Sequence, residues 1–210
     1  MKYSSSHPAF ADQQPAQIQQ IRLEIATIAA RLIVEDGATY AIAKQKAAQQ
    51  ALGSSKFSHD FLPDNELIEQ QVRLHNQLFH GQSQPARLLH LRKLALTVMR
   101  ELEQFNPHLS GAVLNGTAGS HADIVIHLFV DNTKEVAIYL LNKGVQFEVS
   151  EAQQDHGRKL DPVETLSFIR DNEGIHLVLF AIDDLRHLSA KKYSRATIGA
   201  LQSLIEESSL

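Results

Sequence analysis

The residues best placed to do chemistry form one continuous stretch, Gly116-Thr117-Ala118-Gly119-Ser120-His121-Ala122-Asp123, which runs into the apolar segment Ile124–Val130. A turn of small residues ahead of a buried strand lets backbone N–H groups approach an anion closely. Gly116, Thr117, Gly119 and Ser120 are therefore the candidate anion contacts. The alternative for the same residues is a tight strand-entry turn, because Gly, Asn and Ser are turn punctuation first. Asp123 is the carboxylate at the strand entry, and His127 is an imidazole within the strand. Together they are the candidate metal ligands, and the alternative is a capping carboxylate and a hydrogen-bonded strand histidine. His121 and His176 join them only if Ala122–Val130 and Ile175–Ile182 are neighbouring strands. An imidazole-rich set of that kind suits zinc rather than magnesium.

Other chemistries are excluded by motif. The chain has no cysteine, so it has no disulfide, thiol nucleophile or thiolate metal site. It contains no GxSxG elbow, no GxxxxGK[ST] phosphate loop and no GxGxxG turn.

The order of turn, strand, helix, strand and a late pair of strands resembles the small nucleotidyltransferase domain of the polymerase-β-like superfamily. The resemblance spans residues 62–210 and is best over Gly111–Phe147. The second half also resembles a bacterial group classed only as nucleotidyltransferase-like. In the superfamily a Gly-Ser turn holds the nucleotide phosphates, so the resemblance implies Gly116, Thr117, Gly119 and Ser120 as the nucleotide-binding residues. One strand supplies two carboxylates two residues apart, and a later strand supplies a third. Alternate strand positions share a face, so that spacing seats paired acids on magnesium ions. Here the Asp-x-Asp positions fall on Val125 and His127, or in a shifted register on Asp123 and Val125. The later strand offers His176 before Asp183 and Asp184 at its end. The resemblance thus implies a nucleotidyltransferase-like fold with a degenerate active site, acting as a binding or regulatory module for a nucleotide or a protein. The alternative is an active nucleotidyltransferase with atypical ligands, and magnesium is implied only under that alternative.

These residues must be positioned by an α+β protein. Residues 1–15 are polar and read as a flexible tail. Residues 16–110 read as a helical region, with apolar stripes at Ile18–Val34, Leu67–Leu78 and Leu88–Leu102. A further helix from Thr39 to Leu52 carries Lys44, Lys46, Gln45, Gln49 and Gln50, which motivates a third reading, a DNA-associated regulator. Residues 111–210 read as a small mixed sheet with flanking helices. Strands are expected at Ala122–Val130, Val145–Val149, Thr165–Arg170 and Ile175–Ile182. Helices are expected at Lys134–Asn142 and Ser194–Ile205, and a loop at Gln153–Arg158.

Charge separates the halves. Met1–Ser110 carries eleven Lys+Arg against ten Asp+Glu, and Gly111–Leu210 carries nine against fourteen. The net charge of -4 excludes a wholly basic nucleic-acid binder. The polar start has no apolar signal core, and no apolar run is long enough to cross a membrane, so the expected location is cytoplasmic.

Overall fold

The computed structural model describes residues 13–53, 58–152, 163–187 and 195–208. The chain divides into two compact units, Met1–Gly81 and Gln82–Leu210.

The first unit contains α1 (Gln13–Asp36), α2 (Tyr40–Leu52) and α3 (Asn65–His80). Thr39 caps α2 by accepting from the Ile42 amide, and Asp64 caps α3 by accepting from the Leu67 amide at 2.8 Å. Gly53 closes α2 in the left-handed conformation at φ 63°. Ile25, Ala26, Ala29 and Ala30 of α1 pack with Ala43 and Ala47 of α2 and with Ile68 and Val72 of α3. The small alanines let the helices approach closely. Two expectations change here. Helix α1 begins at Gln13, so residues 13–15 are helix rather than tail, while residues 1–12 lie outside the described residues. Of the apolar stripe expected over Leu67–Leu78, Ile68 and Val72 face the core together with Asn76, four apart, whereas Leu74 and Leu78 are exposed, Leu78 at 67%.

The second unit runs α4 (Gln84–Glu101), β1 (His108–Ser110), α5 (Gly111–Asn115), β2 (Ile124–Val130), α6 (Thr133–Asn142), β3 (Glu148–Ala152), β4 (Val163–Arg170), β5 (Glu173–Ala181), α7 (Asp184–His187) and α8 (Ile198–Glu207). The five strands form one mixed sheet in the order β1-β2-β5-β4-β3. β2 and β5 run parallel, and every other pairing is antiparallel. The expected α+β class with a mixed sheet is therefore what the chain forms, with β2 central and beside β5.

The break expected after Ser110 falls instead after Gly81. The physical reason is packing. Leu91, Leu94, Ala95, Val98, Met99 and Leu102 of α4 share a core with the sheet residues Ile124, Ile126, Leu128, Ile175 and Leu177. The region expected to be helical to residue 110 also ends in a strand, β1. The apolar run after Ser110 is the short helix α5, and the strand expected at Val145–Val149 starts at Glu148. The loop expected over Gln153–Arg158 lies outside the described residues.

Strand alternation gives the sheet two unlike faces. Ile124, Ile126, Leu128 and Val130 point to one side, with Ile175, Leu177 and Leu179, and this side carries α4, α6 and α8. The other side carries the polar residues. Register aligns Ser110, Val125, His176, Ser167 and Glu148 as one row across all five strands. The neighbouring row is His108, His127, Val178, Thr165 and Ser150.

Two ties hold α4 to the β4–β5 hairpin. Its turn places both central residues, Asp171 at φ 51° and Asn172 at φ 68°, in the left-handed region, as a two-residue type I′ hairpin requires. Glu173, directly after that turn, is buried and accepts from both guanidinium nitrogens of Arg87, at 2.7 Å for Nη2, while His90 Nε2 lies 3.1 Å away. Arg87 holds the Glu173 carboxyl below its ordinary range, mainly through the hydrogen bonds. Arg170 makes a second two-point contact with Glu101, at 2.6 and 2.8 Å.

Candidate functional site

The site lies on the polar face, where β2, β5 and β4 lie side by side. Asp123 sits just before β2, and its Oδ2 is 3.1 Å from His176 Nε2 on β5. The other ring nitrogen, Nδ1, is 2.8 Å from Ser167 Oγ on β4. A glycine makes room for this arrangement. A Cβ on Gly174 would lie 2.7 Å from Asp123 Cγ and closer still to Oδ1, so any other residue there would displace the carboxylate.

The chemistry of the partners fixes the protons. An ionised carboxylate only accepts, so Nε2 carries the hydrogen and donates it to Asp123. Neutral imidazole has one N–H, so Nδ1 is left with its lone pair. The Ser167 hydroxyl then donates to Nδ1. The three residues form a directed chain from hydroxyl to imidazole to carboxylate. The sequence flags Asp123 and His176 but not Ser167. Ser167 becomes visible only through the pairing of Ser167 with His176 across the β4–β5 hairpin.

The candidate metal pair separates. Asp123 precedes β2 and His127 lies within it, four residues on and roughly 13 Å further along the chain direction. His127 packs its ring 4.9 Å from that of Phe180 and is buried. Burial first, then the charges of Arg195 and His108, pushes its imidazole down to about 4. Among the described residues, no group of three or more His, Asp or Glu converges to hold a metal ion. The ligand set expected from Asp123 and His127 is corrected on that geometry, and Asp123 is the partner of His176 instead. His121 is exposed in the turn and does not appear in this hydrogen-bonded group.

The turn expected to hold a nucleotide is largely tied to its own protein. Gly116 ends α5 at φ 82°. The Thr117 amide donates to the Ala112 carbonyl and to Asn115 Oδ1, and its hydroxyl donates to the same Asn115 oxygen at 2.7 Å. The Ala118 amide also donates to Ala112. The Gln84 side chain reaches in from α4 and donates to the carbonyls of Gly116 and Ala118. Thr117 is buried, Gly119 is partly exposed, and Ser120 is exposed at the outer side of the turn.

Sequence reasoning also missed a buried arginine. Arg92 of α4 donates through Nε to the Val113 carbonyl, through Nη2 to the Leu114 carbonyl and through Nη1 to Ser208. It satisfies the last turn of α5, which leads into the Gly116–Asp123 turn. In the first unit, Lys44 donates to Asn65 Oδ1 at 3.0 Å, whereas Gln45, Lys46, Gln49 and Gln50 are exposed.

A cleft of about 1230 Å³ is lined by Val98 of α4, Leu102 just after it, Tyr139 of α6, and Val145, Phe147 and Phe168, which pack against the helix-covered core. Strands β4 and β5 border it at Ser167, Gly174 and His176, whereas alternation turns the Ser167 and His176 side chains to the other face. No protein-family model, curated protein or solved structure matched this chain.

Proposed function

We propose that the chain is a diverged nucleotidyltransferase-like protein that has given up metal-dependent nucleotidyl transfer and works as a binding or regulatory module. One observation carries this reading. Where the resemblance expects paired acids this chain has Val125 and His127, or in a shifted register Asp123 and Val125, and where it expects a third it has His176, aligned beside Val125 in the sheet. The single acid, Asp123, is engaged by that histidine. A two-metal site needs convergent carboxylates to hold ions ~3.5–4 Å apart. One carboxylate beside an imidazole is a poor set for magnesium, which prefers hard oxygen ligands.

Element order supports the scaffold half of the reading. Strand β1, helix α5, the small-residue turn, β2 and α6 follow in that sequence, and the late strand β5 lies parallel to β2. Ser120, with Gly119, is the part of the turn left to meet a nucleotide, since Thr117 is bonded inward. The test is transfer itself. Purified protein is incubated with labelled ATP, CTP, GTP and UTP, magnesium or manganese, and a cell extract as acceptor source. The reading expects no labelled product that depends on Asp123. Product that disappears in Asp123→Ala would replace it with the enzyme alternative.

A further inference from the structure

We propose that Ser167 is an activated nucleophile, with His176 as its general base and Asp123 as the group that orients and balances the imidazole, and that it accepts an uncharged acyl group from an activated ester. The inference needs only the hydrogen-bonded chain, and it stands or falls independently of the nucleotidyltransferase-like reading.

The geometry meets the requirements for such a nucleophile. Nucleophile and base are within hydrogen-bond reach at 2.8 Å, and the base is held by a third group at 3.1 Å. The tautomer is forced by the carboxylate, so the lone pair of Nδ1 faces the hydroxyl. The ring nitrogens are used in the opposite sense to the familiar serine triad, in which the acid holds Nδ1, but the roles are the same. Ser167 and His176 are register partners on adjacent strands, so their spacing is set by backbone pairing, and Asp123 immediately precedes β2, the strand on the other side of β5. Gly174 has no side chain where one would push the orienting carboxylate away.

The neighbours of Ser167 in the sheet bear on the substrate. Glu148 is the register partner of Ser167 on the same face, which disfavours an anionic acyl group. In the step, Ser167 Oγ attacks the carbonyl carbon of an activated ester, and its proton passes to His176 Nδ1. The carbon–oxygen bond to the alcohol breaks, and His176 returns the proton to the departing oxygen. The products are a Ser167 ester and a free alcohol. Water, deprotonated by the same nitrogen, can then release the acid and restore the hydroxyl.

The full-length chain is treated with a fluorophosphonate probe and separately with p-nitrophenyl butyrate, and adducts are located by peptide mass spectrometry. The expected result is a phosphonyl adduct on Ser167, absent in Ser167→Ala, and its formation about 10²-fold slower in His176→Gln. Ser203→Ala, which alters an exposed serine on α8 bonded to the Gly199 carbonyl, should label at the wild-type rate. Nitrophenol release should fall in parallel with labelling. Wild-type protein with no adduct at Ser167 overturns the proposal and needs no variant to fold. An adduct at Ser167 that forms equally fast in folded His176→Gln, verified by circular dichroism, also overturns it.

Discussion

His176 Nε2 lies 3.1 Å from Asp123 Oδ2, and the absence of a side chain at Gly174 is what lets that carboxylate sit there. A lone acid at a strand entrance is thereby converted from an open ligand into a fixed acceptor. Gly174→Ala should push the carboxylate off its seat at a cost of about 1–2 kcal/mol in stability. The ¹⁵N signals of the His176 ring should change from one dominant tautomer to a mixture. An unchanged tautomer in this variant would show that Asp123 does not set the proton position.

His127 makes the fold acid-sensitive. Its folded value of about 4 lies below the ordinary value of 6.5, so the folded state disfavours its proton. The associated stability is fully present above 6.5 and is lost as pH falls from 6.5 towards 4. The full loss is about 3 kcal/mol, since each unit is worth about 1.4 kcal/mol. Urea unfolding of wild type and His127→Gln checks this. The stability advantage of wild type over the variant should shrink by about that amount between neutral pH and about pH 4.

Two arginine–carboxylate pairs on α4 should differ in worth. The Arg87–Glu173 pair closes over a buried carboxylate, whereas Glu101 and Arg170 are exposed and partly exposed. Glu173→Gln should cost about 2 kcal/mol, and its effect should persist in high salt. Glu101→Gln should cost about 0.5 kcal/mol and fade with salt. Because Arg87 lowers the Glu173 carboxyl, that pair's contribution is fully present above the ordinary carboxylate range and is lost as pH falls below that range, through the lowered folded value. Equal costs for the two variants would contradict the assignment.

Arg92→Met should destabilise the second unit by about 3 kcal/mol, since it leaves two α5 carbonyls without their donor. Arg92→Lys should recover little, because a single ammonium cannot reach three acceptors in the fork geometry of a guanidinium. Thermal unfolding measures both. Full recovery by lysine would mean that charge alone matters at this position.

How much of this was legible in the sequence depends on the range of the interactions involved. β2 could be read because six apolar residues, interrupted only by His127, lie between turn and cap signals. Helix starts at Thr39 and Asp64 could be read because capping is a contact over three residues. β1 could not, since three residues containing one buried leucine carry no period. The unit boundary was misplaced because a helical pattern does not say which core receives its apolar stripe, and α4 packs beneath the sheet. At the site, the carboxylate at the strand entry was visible as a residue type. Its partner depended on the parallel register of β2 with β5, and Ser167 depended on the antiparallel register of β4 with β5. Neither register is a local property of the chain.

Titration of Mn²⁺ into the protein, followed by electron paramagnetic resonance of the free ion, distinguishes an Asp123 that serves His176 from one that serves a divalent ion. With Asp123 held by His176, the Mn²⁺ signal of wild type and Asp123→Asn should be indistinguishable up to about millimolar ion, the range of weak oxygen-ligand sites. Stoichiometric Mn²⁺ binding in wild type that is lost in Asp123→Asn would contradict that role for Asp123.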